Sequence, residues 1–367
     1  MAGVTRPPAP SLAGQTLAGN YVIERKIGDG GMGVVYAARH TRLPSRFAVK
    51  VLTYEGSDHD EVFRRFQAEA EITASLRHPH IVQVIDFNRL DDKTIYLVME
   101  LLEGEDLGAR LRKRGALPLL EVLELARAMG SALSAAHKHG VIHRDLKPGN
   151  LFLAREDRGE DVVEVLKVLD FGISKIRGST TVKTQDTQML GTPQYMAPEQ
   201  AMGRHDEVDG RTDVFALGAV VFEMIAGRPA FGGTTIPEVV FKVVYEPAPS
   251  LLELVPGTPP HVAAAVDRAL AKKSIERWDD VAQFVEALTG SPLVTGKRTA
   301  AAMPRVTGPT TAARPVTPAG ATAQDAFAAT VGSGDHGSAI ASQAREALRA
   351  GPPAATGAPS TAAVTQA

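Results

Sequence analysis

The chain has no cysteine, which excludes disulfide staples and thiolate metal centres and suits a reducing compartment. It also lacks charge bias. Lys and Arg number 40 against 42 Asp and Glu, for a net charge of -2, so total charge draws it neither to nucleic acid nor to an anionic bilayer. No stretch approaches the ~18 to 20 uninterrupted apolar residues of a membrane span. The first residues are rich in Ala, Pro and Gly, without the charged start and apolar run of a signal peptide. A cytoplasmic protein without a membrane span is therefore expected. What the chain does have is core-forming material: 44% of its 367 residues are hydrophobic, enough for one large or two medium domains.

The densest chemistry lies in His143-Arg144-Asp145-Leu146-Lys147-Pro148-Gly149-Asn150, followed by Asp170-Phe171-Gly172 after the apolar run Val165-Leu166-Lys167-Val168-Leu169. Two carboxylates, one ammonium and one amide suit holding two metal ions and a polyphosphate beside a hydroxyl. Pro148 keeps Lys147 out of helical geometry, so the segment reads as an extended loop. Asp145 and Lys147, two apart, then project to the same side.

Upstream, Tyr21-Val22-Ile23-Glu24-Arg25-Lys26-Ile27 and Val34-Val35-Tyr36-Ala37-Ala38 read as strands around Gly28-Asp29-Gly30-Gly31-Met32-Gly33. A Walker loop would end in Gly-Lys-Ser/Thr, where Val34-Val35 stands, and a dinucleotide loop would open a helix. A glycine hairpin lying over phosphates needs strand, glycines, strand, as does an ordinary flexible hairpin. Phe47-Ala48-Val49-Lys50-Val51-Leu52 is a third strand, with Ala48 and Lys50 on one face. Ala48 leaves room for a flat ring, and Lys50 reaches neighbouring phosphates. Residues 58–76 read as a helix whose stripe carries Phe66, Glu69, Thr73 and Leu76. An inward Glu69 needs a partner, and Lys50 is the obvious one. Strands follow at 81–87 and 94–100, joined by a turn at 88–92, then a helix at 119–137. His78 and His143 read as structural, and His137 and His139 as solvated or structural, not as metal ligands.

In this order the motifs resemble the protein kinase family, specifically the bacterial Hanks-type serine/threonine kinases, over residues 21–288. The resemblance implies an α+β, two-lobe protein kinase fold. A lobe of antiparallel strands plus one regulatory helix spans about 21–102, and a mainly helical lobe about 103–288. Residues 1–20 and the Ala/Pro/Thr/Gly-rich residues 289–367 read as disordered flanks. The implied reaction transfers the γ-phosphate of ATP to Ser or Thr hydroxyls of proteins, with Mg²⁺ as the metal and Mn²⁺ as an alternative.

The resemblance further implies that Asp145 accepts the hydroxyl proton, Lys147 steadies the γ-phosphate and Lys50 pairs with Glu69. Asn150 and Asp170 hold metal. Ile27, Gly28, Gly30, Gly33, Val35 and Ala48 cover the nucleotide; Met99, Glu100 and Leu102 form the adenine hinge; Phe152 lies under the ring. Asp106 is either a ribose or substrate contact or a helix cap. Glu103, Glu105 and Asp106 cluster, which raises a preference for basic substrates. Glu199 and Arg277 form a buried pair, and Asp213 takes backbone N–H groups of the catalytic loop. Arg144 would bind a phosphate on Thr184 or Thr187, placed by autophosphorylation. Implied partners are Ser/Thr-bearing proteins and the chain itself, with a transient dimer allowed and no nucleic acid. The competing readings are a nucleotide-binding pseudokinase scaffold and a small-molecule kinase. Intact Lys50, Asp145 and Asp170 speak against the first, and Thr192-Pro193-Gln194-Tyr195-Met196-Ala197-Pro198-Glu199 against the second.

Overall fold

The β-branched, alternating segments near the N-terminus pair into a six-stranded antiparallel sheet in the computed structural model, which describes residues 12–30, 33–53, 59–91, 94–159, 161–171 and 193–293. The strands are β1 (Thr16–Leu17), β2 (Tyr21–Gly30), β3 (Gly33–His40), β4 (Arg46–Thr53), β5 (Val84–Asp91) and β6 (Thr94–Glu100), in the order β1-β2-β3-β4-β6-β5. Period two divides β4 between two clusters. Val49 and Val51 pack with Leu17, Tyr21, Ile23 and Val98, whereas Ala48 packs with Val84, Leu97 and Met99 on the other side. Register sets Val35 opposite Lys50 and Met99 opposite Ala48, so adjacent strands bring an apolar cluster and a lysine together.

β2 is bulged twice, between Ile23 and Arg25 and between Lys26 and Gly28, which bends and twists the glycine hairpin relative to the sheet. Gly33 has φ +152°, and a Cβ there would lie 2.1 Å from the Val51 carbonyl oxygen. Only glycine allows β3 so close to β4 at this point.

Helix α1 (His59–Ser75) packs on β5, where Phe63 stacks on Phe87 at 5.3 Å and the Arg89 guanidinium lies 4.3 Å from the Phe63 ring. The strand expected at 81–87 starts later, at Val84, and runs to Asp91, through most of the expected turn. Residues 81–82 are taken by another partner: Ile81 bridges to Val168, and Val82 N–H donates to the Val168 carbonyl.

The rest is mainly helical, around a three-stranded sheet of β7 (Gly104–Asp106), β8 (Leu151–Asp157) and β9 (Val162–Val168). Its helices are α2 (Leu107–Arg114), α3 (Leu119–Lys138), α4 (Pro198–Ala201), α5 (Gly210–Ala226), α6 (Ile236–Tyr245), α7 (Leu251–Leu254), α8 (Pro260–Ala269) and α9 (Val281–Thr289). α5 is apolar nearly all round because α3, α8 and α9 surround it. Its N-cap is Asp209, whose side chain accepts from Arg211 N–H. Asp213 therefore sits within the first turn and is free for another task. Of the flanks expected to be disordered, 1–20 and 289–367, residues 1–11 and 294–367 lie outside the described residues; residues 12–20 depart from the expectation, because Leu12 and Leu17 bury themselves in the sheet's core and β1 pairs with β2.

Candidate active site

Asp213, fully buried, is the post on which the 143–150 loop hangs. Its Oδ2 accepts from His143 N–H at 2.8 Å and its Oδ1 from Arg144 N–H at 3.0 Å, while His137 Nε2 lies 2.7 Å from Oδ2. Burial pushes this carboxyl up, but His137 and the loop N–H groups outweigh it and hold the carboxyl below its ordinary range. His143 is fully buried, with Nε2 2.8 Å from the Leu169 carbonyl and its ring edge-on to Phe171 at 4.7 Å. Both histidines are structural, as expected.

The loop then turns Asp145, Lys147 and Asn150 toward one another. Lys147 has φ -158° and ψ 162°, the extended conformation required before Pro148. Its Nζ donates to Asp145 Oδ2 at 2.8 Å and to Oδ1 at 3.1 Å. Asn150 Nδ2 donates to the Asp145 carbonyl at 2.7 Å and to Asp145 Oδ2 at 3.2 Å. Leu169 N–H donates to the Asn150 carbonyl at 2.9 Å, which brings Asp170 alongside the loop. Asp170 Oδ2 then meets Lys50 Nζ, from β4, at 2.6 Å.

Arg144 and Asp170 have φ +66° and +59°. Non-glycine residues in this region store strain and cluster where a side chain must be aimed. Strain of this kind carries no sequence signature.

Most other anticipated residues fall on β2, β3, β4, β6 and β8 or just after them. Ala48 and Met99 are buried, and Val35, Leu101 and Leu102 pack against their cluster. Ile27 is exposed at the hairpin. Gly28 and Gly30 lie in β2, and Gly33 opens β3. The Glu100 carboxylate is turned away: it accepts from Gln83 N–H at 2.8 Å and lies 3.1 Å from Lys167 Nζ. Only the backbone of Glu100 is left to meet a ligand. Phe152 is half-buried on the face of β8 opposite Leu151 and Leu153. Asp106 is the helix cap of the two alternatives, its Oδ1 accepting from Ala109 N–H at 2.8 Å. Glu105, one of the three carboxylates of the acidic cluster, is paired with Arg110 at 3.2 Å and Lys113 at 2.6 Å.

The helix containing Glu69 is present, but its side chain is outside the described residues, as are Thr184 and Thr187. The Arg144 guanidinium makes no ion pair or hydrogen bond among the described residues. Two residues were not anticipated. Lys167, buried on β9, pairs with Glu100. A lone lysine within an apolar strand needs a carboxylate, the same reasoning that singles out Lys50. The other is Gln200, whose Nε2 donates to the Arg144 carbonyl.

Beneath the site, Arg277 Nη1 and Nη2 each donate to Glu199 at 2.8 Å, and Thr212 donates to Glu199 Oε1 at 2.8 Å. Burial raises the Glu199 carboxyl, and Arg277 more than reverses this.

Among the described residues no three His, Asp or Glu side chains converge as a ready-made metal cage. Asn150, with its amide nitrogen engaged, leaves Oδ1 uncommitted, and Asp170, next to the Leu169 that bonds the Asn150 carbonyl, carries a carboxylate. Such a sparse set of hard oxygen donors fits a divalent cation that takes its other ligands from phosphate and water.

The protein kinase domain family matches residues 21–282. Serine/threonine-protein kinase PknA of Mycobacterium tuberculosis is 39% identical over 279 residues, covering 75% of this chain and 62% of that one. Serine/threonine-protein kinase Pkn1 of Myxococcus xanthus is 37% identical over 272 residues, covering 74% of this chain and 38% of that one. The chain thus spans less than two thirds of the length of these relatives. The crystal structure of the Mycobacterium tuberculosis PknI kinase domain aligns with TM-score 0.59 and 30% identity, over 76% of this chain and 97% of that one. With the glycine hairpin, the strained catalytic loop and the buried Glu199–Arg277 pair in the family's order, the chain belongs to the protein kinase family, in its bacterial Hanks-type serine/threonine branch.

Proposed function

We propose that the chain is a serine/threonine protein kinase, transferring the γ-phosphate of ATP to Ser or Thr hydroxyls of proteins. One observation carries this reading: Asp145, Lys147 and Asn150 converge on one loop beside the Lys50–Asp170 pair. A scaffold that only bound nucleotide would have no use for a carboxylate and an ammonium held together away from the adenine pocket.

Membership of the family implies ATP and a divalent metal. We take that metal to be Mg²⁺, with Mn²⁺ able to replace it, held by Asn150 Oδ1 and the Asp170 carboxylate. Bound metal–ATP supplies the phosphoryl group and the charge neutralisation it needs. Asp145 aims the substrate hydroxyl and accepts its proton; Lys147 steadies the transferred group; Lys50, kept inward by β4, neutralises the remaining phosphates. Ala48, Val35, Met99 and Phe152 enclose the base, and the backbone of Glu100 and Leu102 bonds its edge. The kinase domain occupies residues 21–288, with the lobes meeting near residue 102. ATP and Mg²⁺ are cytoplasmic reagents, and the domain works there.

Regulation follows from Arg144. Phosphorylation of Thr184 or Thr187 adds about -1.5 to -2 charge, which Arg144 can bind. Self-modification allows a second copy, met transiently, as the partner. Among the described residues no helix is long and apolar enough to cross a membrane.

The test is incubation with γ-labelled ATP with and without Mg²⁺, followed by mapping of the labelled residues. Metal-dependent label on Ser or Thr, including Thr184 or Thr187, is expected. A folded sample that binds ATP and labels nothing would support the scaffold reading instead.

A further inference from the structure

The peptide groups around Arg144 are held from two sides. Its N–H donates to Asp213 Oδ1 at 3.0 Å, and its carbonyl accepts from Gln200 Nε2 at 2.8 Å. Between them Arg144 is held at φ +66°. A long side chain in that region persists only when its surroundings over-determine it. Asp213 is one of those constraints, and Gln200 is the other.

Gln200 is itself rigidly placed. It lies in α4, directly after Glu199, which is locked by Arg277 and Thr212. Its Oε1 accepts from Ala197 N–H at 3.1 Å, closing the start of α4. One amide therefore does two separable things. Its oxygen caps α4, and its nitrogen grips the peptide that leads into Asp145. Without the nitrogen, a half-buried carbonyl loses its partner, and the Arg144–Asp145 peptide can rotate out of the strained conformation.

We infer that Gln200 is a positioning residue for Asp145, transmitting the seating of the Ala197-Pro198-Glu199 segment to the carboxylate. The inference rests on the proposed role of Asp145 as proton acceptor. It gives the segment before α4 an effect on turnover through one hydrogen bond, without contact with ATP.

Three variants of the full chain separate the two halves of the amide. Gln200→Glu keeps the accepting oxygen and loses the donor. Gln200→Lys keeps a donor and loses the acceptor, and Gln200→Met loses both. Peptide phosphorylation should show kcat lowered ~10- to 100-fold in Gln200→Glu and Gln200→Met, a scale typical of small misplacements at a reacting centre. Gln200→Lys should stay within about fivefold of wild type, and KM for ATP should change less than about twofold in all three. Thermal unfolding should follow the other atom, with Gln200→Glu near wild type and the other two lowered. If kcat instead tracks thermal stability across the three, or if Gln200→Glu turns over normally, Gln200 is only a helix cap and the inference fails. A wild-type chain that transfers no phosphate would refute the kinase reading itself, a distinct outcome.

Discussion

In the platform beneath the catalytic loop, Arg277 meets Glu199 through two contacts of 2.8 Å, with side chains 0% and 4% exposed. In the cleft above, Lys50 meets Asp170 at 2.6 Å, with side chains 7% and 21% exposed. Distance does not separate the two pairs; their remaining partners do. Arg277 also donates to the carbonyls of Ala271, Lys272 and Arg211, and Glu199 also accepts from Thr212. Nearly all the hydrogen-bonding capacity of that pair is used within the protein, so it is a structural tie. Among the described residues Lys50 and Asp170 have only each other. A buried pair with its capacity filled holds a fold, whereas a pair with capacity left over awaits a ligand.

The difference is sharpest where turnover and stability part company. Asp145→Asn should lower the phosphorylation rate ~10²–10⁴-fold, and Lys50→Ala or Asp170→Ala at least as much. All three should unfold within a few degrees of wild type by calorimetry. A cleft variant that unfolded early would make its pair structural and break the distinction.

The platform should behave in the opposite way. Arg277→Met leaves Glu199 buried and unpaired, and urea denaturation should show a loss of ~3–5 kcal/mol. Adding Glu199→Leu should recover part of it, since the lone charge is then gone. A double variant no better than Arg277→Met would mean that the guanidinium's carbonyl contacts, not the ion pair, do the holding.

The platform also holds a group that ties stability to pH. The Asp213 carboxyl lies below its ordinary value when folded, because His137 and two loop N–H groups overcome its burial. The unfolded chain therefore takes up this proton more readily, and stability falls as pH drops through and below the ordinary carboxylate range. Asp213→Asn should weaken the slope of melting temperature against pH in that window. An unchanged slope would remove Asp213 as the acid-sensitive anchor.

The smallest effect belongs to His78, which is part of neither pair. Burial, then His80 and Lys167, lower its pKa to about 4. Because the folded state disfavours the charged ring, its contribution is complete above the unfolded value of ~6.5 and fades as pH falls toward ~4. His78→Gln should flatten the melting curve slightly between those values and leave turnover alone.

Much of this contrast is legible in the sequence. Period two in 47–52 places Ala48 and Lys50 together, Pro148 makes Lys147 extended, and Asp213 does reach the loop N–H groups. The strand register of β8 and β9 was hidden, because only part of it reads as apolar run and the pairing depends on a hairpin closed by polar residues. The start of β5 shifted because Ile81 and Val82 find partners on β9, a tertiary choice that local pattern does not encode. Gln200 and Lys167 were missed for a related reason. A polar side chain declares its role only when its partner, distant in the chain, is known.

The central claim is most directly tested by comparing wild type with Asp145→Asn in two assays on the same samples: equilibrium binding of Mg²⁺–ATP, and single-turnover transfer to a Ser/Thr peptide. Equal affinity with transfer nearly abolished in the variant is the expected result, since the proposed mechanism has Asp145 serve the hydroxyl and not the nucleotide. Equal transfer by both proteins, or none by either with ATP bound, would contradict it.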